Sequence, residues 1–184
     1  MNIFNVTVPF AWAEVLRTVQ SVHPEAVLAG GALRDLILGG TVKDLDIFIG
    51  PEATNLQEVL TFRHGWRPIM SVNADYVESM RGEVAHVVGY RVPGLEHEVQ
   101  IIQLKQLDEP HDAIRRMDFA ACQVGYCSPT HWVYTRRALK DFLNRTITML
   151  EPEDHVQECR SLARAARFAD KYALTDVRVI PMLG

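Results

Sequence analysis

The stretch from Val27 to Phe48, VLAGGALRDLILGGTVKDLDIF, constrains the chain more than any other. Its period changes twice. A short apolar run ends at Ala29, a helical pattern runs through Leu33, Leu36, Ile37 and Leu38, and Asp44-Leu45-Asp46-Ile47-Phe48 then alternates like a strand. Gly30-Gly31 and Gly39-Gly40 punctuate the two changes. On a strand Asp44 and Asp46 sit at i and i+2, so they project from one face roughly 7 Å apart. Two carboxylates on rigid backbone suit Mg²⁺, which takes one or two carboxylates together with substrate phosphates. A Gly-Gly turn feeding a helix leaves unpaired N–H groups that can hold a phosphate. Taken singly, a Gly-Gly turn is most often only a turn, and an Asp-x-Asp at a strand edge is most often solvated surface. In this order and spacing they point to chemistry on a nucleoside triphosphate.

Gly30-Gly31-x-x-Arg34-Asp35 followed by Asp44-x-Asp46 resembles the signature of the tRNA nucleotidyltransferase (CCA-adding enzyme) and bacterial poly(A) polymerase family, within the DNA polymerase β-like nucleotidyltransferase superfamily. The resemblance runs through the motif without a gap. It implies an α+β fold: a mixed, largely antiparallel sheet backed by helices, with the site on one sheet face and a C-terminal neck helix. It also implies a template-independent, Mg²⁺-dependent transfer of a nucleoside monophosphate from ATP and/or CTP to an acceptor hydroxyl, with release of pyrophosphate. Asp44 and Asp46 would be the catalytic metal ligands, and Gly30, Gly31 and Arg34 would hold the triphosphate.

Further segments extend the likeness with departures. Glu98-Val99 echoes a Glu-Val pair on the strand beside the Asp-x-Asp strand, so Glu98 reads either as a third catalytic carboxylate or as an exposed strand residue; the family's arginine near position 103 is Gln103 here. Arg116-x-Asp118-Phe119 resembles the second motif, in which Asp118 would help recognise the nucleotide's sugar. Ala120 and Cys122 stand where that motif has Thr and Asn. Read without the family, Asp118 is a carboxylate in an apolar setting that needs a cation, and Arg115 or Arg116 is the expected partner. Ala163-Arg164-Ala165-Ala166-Arg167-Phe168 resembles the neck helix. Aligned there, Glu158, Arg164 and Arg167 would bind the nucleotide, while Ser161 replaces the first base-selecting arginine.

The resemblance divides the chain into a head domain, residues 1–150, and a neck-like segment, residues 151–184; the family's helical body and tail are not expected here. An amphipathic helix is predicted over 10–21 with Phe10, Val15 and Val19 on its apolar side, and strands over 25–29 and 44–49 flank a helix at 31–38. A helix is predicted over 54–64 with Thr54 as N-cap, then a strand near 66–72, and a hairpin turning at Pro93-Gly94. Strands at 131–135 and 146–150 flank a short helix at 137–143. On the long helix after residue 152, Leu162, Ala166 and Ala169 are expected to share one apolar face, with Ala165 and Phe168 flanking it.

Composition sets outer limits. With 184 residues, 48% of them hydrophobic, the chain fits one globular domain. The N-terminal sequence lacks a basic, apolar, cleavable leader, and no apolar run approaches the length of a membrane span. Three cysteines without a Cys-x-x-Cys pair read as core thiols of a reducing cytoplasm. Seven histidines show no metal-ligand spacing. The net charge of −4 is not that of a general nucleic-acid binder. It is unevenly spread: residues 1–110 hold 8 Lys+Arg against 14 Asp+Glu, and residues 111–184 hold 11 against 9. Three acceptor readings remain open. They are an RNA 3′ end such as a tRNA, a protein or small molecule, and no acceptor at all in a nucleotide-binding module. A homodimer is compatible with each.

Overall fold

The computed structural model describes residues 6–51, 55–69, 83–150, 155–172 and 176–179. The expected α+β class is what the chain adopts. Seven strands form one sheet in the order β3-β4-β5-β2-β1-β6-β7. They are β1 (Val27–Ala29), β2 (Asp44–Ile49), β3 (Arg67–Ile69), β4 (Val84–Arg91), β5 (Glu98–Leu104), β6 (Val124–Ser128) and β7 (His131–Tyr134). Every neighbouring pair is antiparallel except β2 and β5, which run parallel with Asp44 beside Glu98 and Asp46 beside Gln100. A parallel pair needs a long crossover, and the chain between these two strands includes β3 and β4, which extend the sheet beyond β5.

The helices are α1 (Phe10–Gln20), α2 (Gly31–Leu38), a one-turn α3 (Leu56–Glu58) continued as a π-turn over Val59–Arg63, α4 (Pro110–Ile114), α5 (Arg136–Asn144) and α6 (His155–Tyr172). Strand alternation sorts the core in two. Leu45, Ile47 and Ile49 of β2 pack with Val99 and Ile101 of β5 against Trp12, Leu16 and Leu33 of α1 and α2. On the other face Phe48 and Ile102 pack against Ala113 and Ile114 of α4. Asp44 and Asp46 share the Phe48 face by alternation. A third cluster joins Phe119, Cys122, Ile147 and Met149 to Ala165, Phe168 and Tyr172 of α6. Beneath α6, β8 (Thr146–Met149) pairs parallel with β9 (Asp176–Val179).

Several expectations are corrected. Phe10 is 75% exposed; Trp12, Val15, Leu16 and Val19 form the buried side of α1. The stripe that α6 buries is Ser161, Ala165, Phe168 and Tyr172, whereas Leu162 and Ala166 face solvent. That stripe includes a serine and a tyrosine, which a purely apolar criterion passes over. The predicted 54–64 helix is shorter, and Asn55 precedes it with φ 57°; Thr54 lies outside the described residues. So does most of the predicted strand beyond Ile69. β6 and β9 were not anticipated.

Candidate active site

β2 and β5 bring one carboxylate-rich patch together. Asp44 faces Glu98 across the parallel ladder and Asp46 faces Gln100, so all four side chains share a face. Asp46 is buried and Asp44 half-buried. Gln100 Nε2 donates to Asp44 Oδ2 at 3.4 Å, and Lys43 Nζ stands 3.7 Å from the same oxygen while remaining 89% exposed. Gln100 Oε1 is buried and has no hydrogen-bond partner among the described residues. Gln100 was missed in the sequence, although its place two residues after Glu98 on one strand face is the signal that would have found it. Among the described residues no three His, Cys, Asp or Glu side chains converge as a metal cage. The donor set is thus a carboxylate pair with an amide oxygen on the same face, hard donors of the kind Mg²⁺ prefers.

The Gly30 turn lies over this patch. Gly30 has φ 84° and ψ −134°, a conformation open to glycine and strained for other residues. A Cβ there would meet Met117 Cε at 3.4 Å and Asp46 Oδ2 at 3.8 Å. Its N–H donates to the Val124 carbonyl at 3.2 Å, so Gly30 supplies close approach and not a free donor. Helix geometry leaves the next N–H groups, beginning with Gly31, without intrahelical acceptors.

Arg34 faces inward. It is 6% exposed, and its Nε and Nη2 donate to Asp35 Oδ1 at 2.9 and 2.7 Å. Nε also donates to the Tyr172 hydroxyl at 2.9 Å, and Nη1 to Cys122 Sγ at 3.1 Å. Its guanidinium carbon lies 4.2 Å from the centre of the Phe168 ring. Asp35 is the hub of this knot. The Tyr172 hydroxyl donates to Oδ1, and Lys171 Nζ donates to Oδ2 and to the Thr41 carbonyl, both at 2.8 Å. Burial alone would lower the Arg34 pKa, but Cys122, Asp35 and Tyr172 around it hold the guanidinium above its ordinary value. Burial pushes the Tyr172 phenol and the Cys122 thiol up. Arg34 therefore braces the glycine turn from within, its Nη2 lying 3.5 Å from where a Gly31 Cβ would be.

A third grouping centres on Asp118. Its Oδ2 accepts from Ser161 Oγ and Arg164 Nη1, each at 2.7 Å. This corrects the expected partners: Arg115 pairs with Asp112 at 2.6 Å and Arg116 with Glu83. The reason is tertiary, because α6 delivers two donors to a carboxylate 43 and 46 residues earlier. Arg164 also stacks 5.2 Å over the Phe119 ring, and Phe119 meets Phe168 edge-on at 5.0 Å. Glu158 lies near the start of α6, paired with His155 Nδ1 at 3.2 Å, and Arg167 faces solvent. The fold thus gathers Gly30, Asp44, Asp46 and Glu98 in one patch and Asp118 with Arg164 in another, and it turns Arg34 into the knot between α2 and α6. A cleft of about 420 Å³ opens at the far end of α2, lined by Trp12, Gly40, Lys43 and His97. It does not include the carboxylate pair.

Residues 4–145 match the profile of the Gabija anti-defense 2 family. The chain belongs to that family. No curated protein matches the chain in sequence. In fold, this Gabija anti-defense 2 family member is similar to the Thermotoga maritima CCA-adding enzyme complexed with tRNA, with a TM-score of 0.69 at 16% identity over 95% of this chain and 40% of that one. It is similar also to a CCA-adding enzyme with ATP (TM-score 0.70, 16% identity, 93% and 40% covered). A tRNA nucleotidyltransferase complexed with a primer tRNA and an incoming ATP analog gives 0.63 at 19% identity, with 86% and 46% covered. The chain spans less than half the length of these enzymes. The resemblance read in the sequence therefore holds as a nucleotidyltransferase-like fold, while the family is the Gabija anti-defense 2 family. Among the described residues no helix is long and apolar enough to cross a membrane.

Proposed function

We propose that this protein is a metal-dependent nucleotidyltransferase that moves a nucleoside monophosphate from ATP or CTP to an acceptor hydroxyl at an RNA 3′ end. The observation that carries the reading is the placement of Asp44 and Asp46 on one face of β2 with the Gly30 turn closing over Asp46. Asp44 and Asp46 are the residues that would hold Mg²⁺, with Glu98 and Gln100 beside them. Bound there, the ion would supply charge stabilisation and help to activate the attacking hydroxyl. The chain's own part is positioning. The N–H groups from Gly31 onward receive the triphosphate at the positive end of α2. Asp118 orients the sugar, and Arg164, fixed by Asp118 and the Phe119 ring, reads the base with Glu158 and Arg167 farther along α6. Arg34 holds the turn in place from beneath. The head (1–150) and neck-like (151–184) division belongs to this proposal, with α6 docked on the head through Asp35 and Asp118.

A second reading keeps the chemistry and changes the acceptor to a protein or small molecule. The family's anti-defense description favours it. The two separate in one experiment. Each α-³²P-labelled NTP is incubated with Mg²⁺, with total RNA and total protein as parallel acceptors, and the Asp44→Ala/Asp46→Ala variant serves as control. Label in RNA that vanishes in the variant is the expected result. Label in protein alone would replace the acceptor, and no label in RNA, in protein or in a small-molecule product other than the NTP and its hydrolysis products would end the enzymatic reading.

A further inference from the structure

Helix α5 is built against its own electrostatics. Thr135 caps it, its hydroxyl accepting from Ala138 N–H at 3.2 Å, yet the first turn contains no acid and begins Arg136-Arg137. Cations in that turn oppose the positive end of the helix dipole. The helix's one acid, Asp141, is 2% exposed and turned inward, where it accepts from the Thr146 and Thr148 hydroxyls at 3.0 and 2.7 Å and from the Thr148 N–H at 2.8 Å. Arg136, Arg137 and Lys140 are exposed, and among the described residues none has an ion-pair or hydrogen-bond partner. Arg136 and Lys140 stand one turn apart on the same side. The outer face of α5 is therefore a basic surface of one sign, arranged at some expense to helix stability. The opposite, buried side of α5 packs on the short turn Ala120–Cys122, which follows Asp118 and Phe119 in the chain.

We propose that this face of α5 binds the phosphate backbone of single-stranded RNA, with Arg136, Arg137 and Lys140 as the phosphate contacts. The proposal rests on the RNA-acceptor reading above and names the surface that holds the acceptor strand. Three exposed cations, with no acid or aromatic side chain between them, match repeating phosphates better than a protein partner, whose interfaces centre on packed, desolvated anchors.

The test is equilibrium binding of a short fluorescent single-stranded RNA to the full chain by anisotropy, over a KCl series, without NTP or Mg²⁺. The comparison is the Arg136→Gln/Arg137→Gln/Lys140→Gln variant. At about 0.7 per phosphate contact, losing three contacts flattens the slope of log K against log[salt] by about 2. The variant's melting temperature stays level or rises, because the dipole conflict is relieved. Equal slopes in the two proteins would overturn the proposal. So would a fall in melting temperature, which would make these cations structural, or displacement of the RNA by polyglutamate at matched charge, which would point to an acidic protein. The readout needs no turnover. Failure of the labelling experiment with the slope difference intact would remove the enzymatic reading and leave this surface standing. Turnover on RNA with equal slopes would do the reverse.

Discussion

Asp35 and Asp44 lie nine positions apart in one motif and have opposite fates. The Asp35 carboxylate accepts from Arg34, Tyr172 and Lys171 and is 4% exposed. Asp44 has a 3.4 Å contact from an amide and a lysine 3.7 Å away that remains in solvent. A carboxylate saturated by donors from its own chain is committed to holding elements together. One at the start of a central strand, beside another carboxylate and an amide oxygen without a partner among the described residues, ties no second element to its own in this way. The same residue type thus does architectural work on the helix and, under the proposed function, serves chemistry on the strand.

The largest expected effect falls on the strand. Asp44→Ala and Asp46→Ala each reduce labelled transfer by several orders of magnitude with little change in urea midpoint. A large loss of stability instead would place these carboxylates with Asp35 and erase the contrast. Next comes Asp35→Ala. Removing the acceptor leaves Arg34 and Lys171 facing each other without compensation, a loss of about 3–5 kcal/mol in urea unfolding; an unchanged midpoint would show that the knot holds nothing. Gly40→Ala attacks the knot without touching its charges. A Cβ there would collide with Tyr172 Cε1 and lie 3.1 Å from Lys171 Cε, so these side chains at the end of α6 must shift, at a cost of about 1–3 kcal/mol. Because α6 also carries Arg164, this variant is expected to raise the KM for NTP more than it lowers kcat.

The smallest effect lies outside both regions and calibrates them. Burial pushes the Cys127 thiol from 9.0 up to about 11. A folded-state pKa above the unfolded value favours the folded state fully below pH 9, and the advantage fades as pH rises towards 11. Thermal unfolding between pH 8 and 11 therefore shows a falling midpoint, part of which Cys127→Ala abolishes. An identical pH profile in that variant would assign the whole decline to Tyr172 and other phenols.

Local pattern carried much of this protein. The boundaries of α2 and β2 follow from glycine punctuation and a change of period, and the hairpin β4–β5 from β-branched runs either side of Pro93-Gly94. The pairing of Asp44 with Asp46 is strand geometry alone. β6 escaped because residues 115–124 contain no Gly or Pro to mark where the 3₁₀ turn Ala120–Cys122 ends and the strand Val124–Ser128 begins. The inward face of α6 escaped because Ser161 and Tyr172 are buried for their hydroxyl groups, which find carboxylates at Asp118 and Asp35.

What the sequence determined, then, are the features set within a few residues: turns, periods, and two carboxylates on one strand face. What the tertiary structure decided is which charges meet. Arg34 looks outward in a motif and inward in the fold because Asp35, Cys122, Phe168 and Tyr172 surround it only once α6 has packed. Asp118 takes Arg164 in place of its neighbour Arg116 for the same reason. Charge pairing depends on distance in space and on the loss of water around the pair, and neither is written in sequence separation.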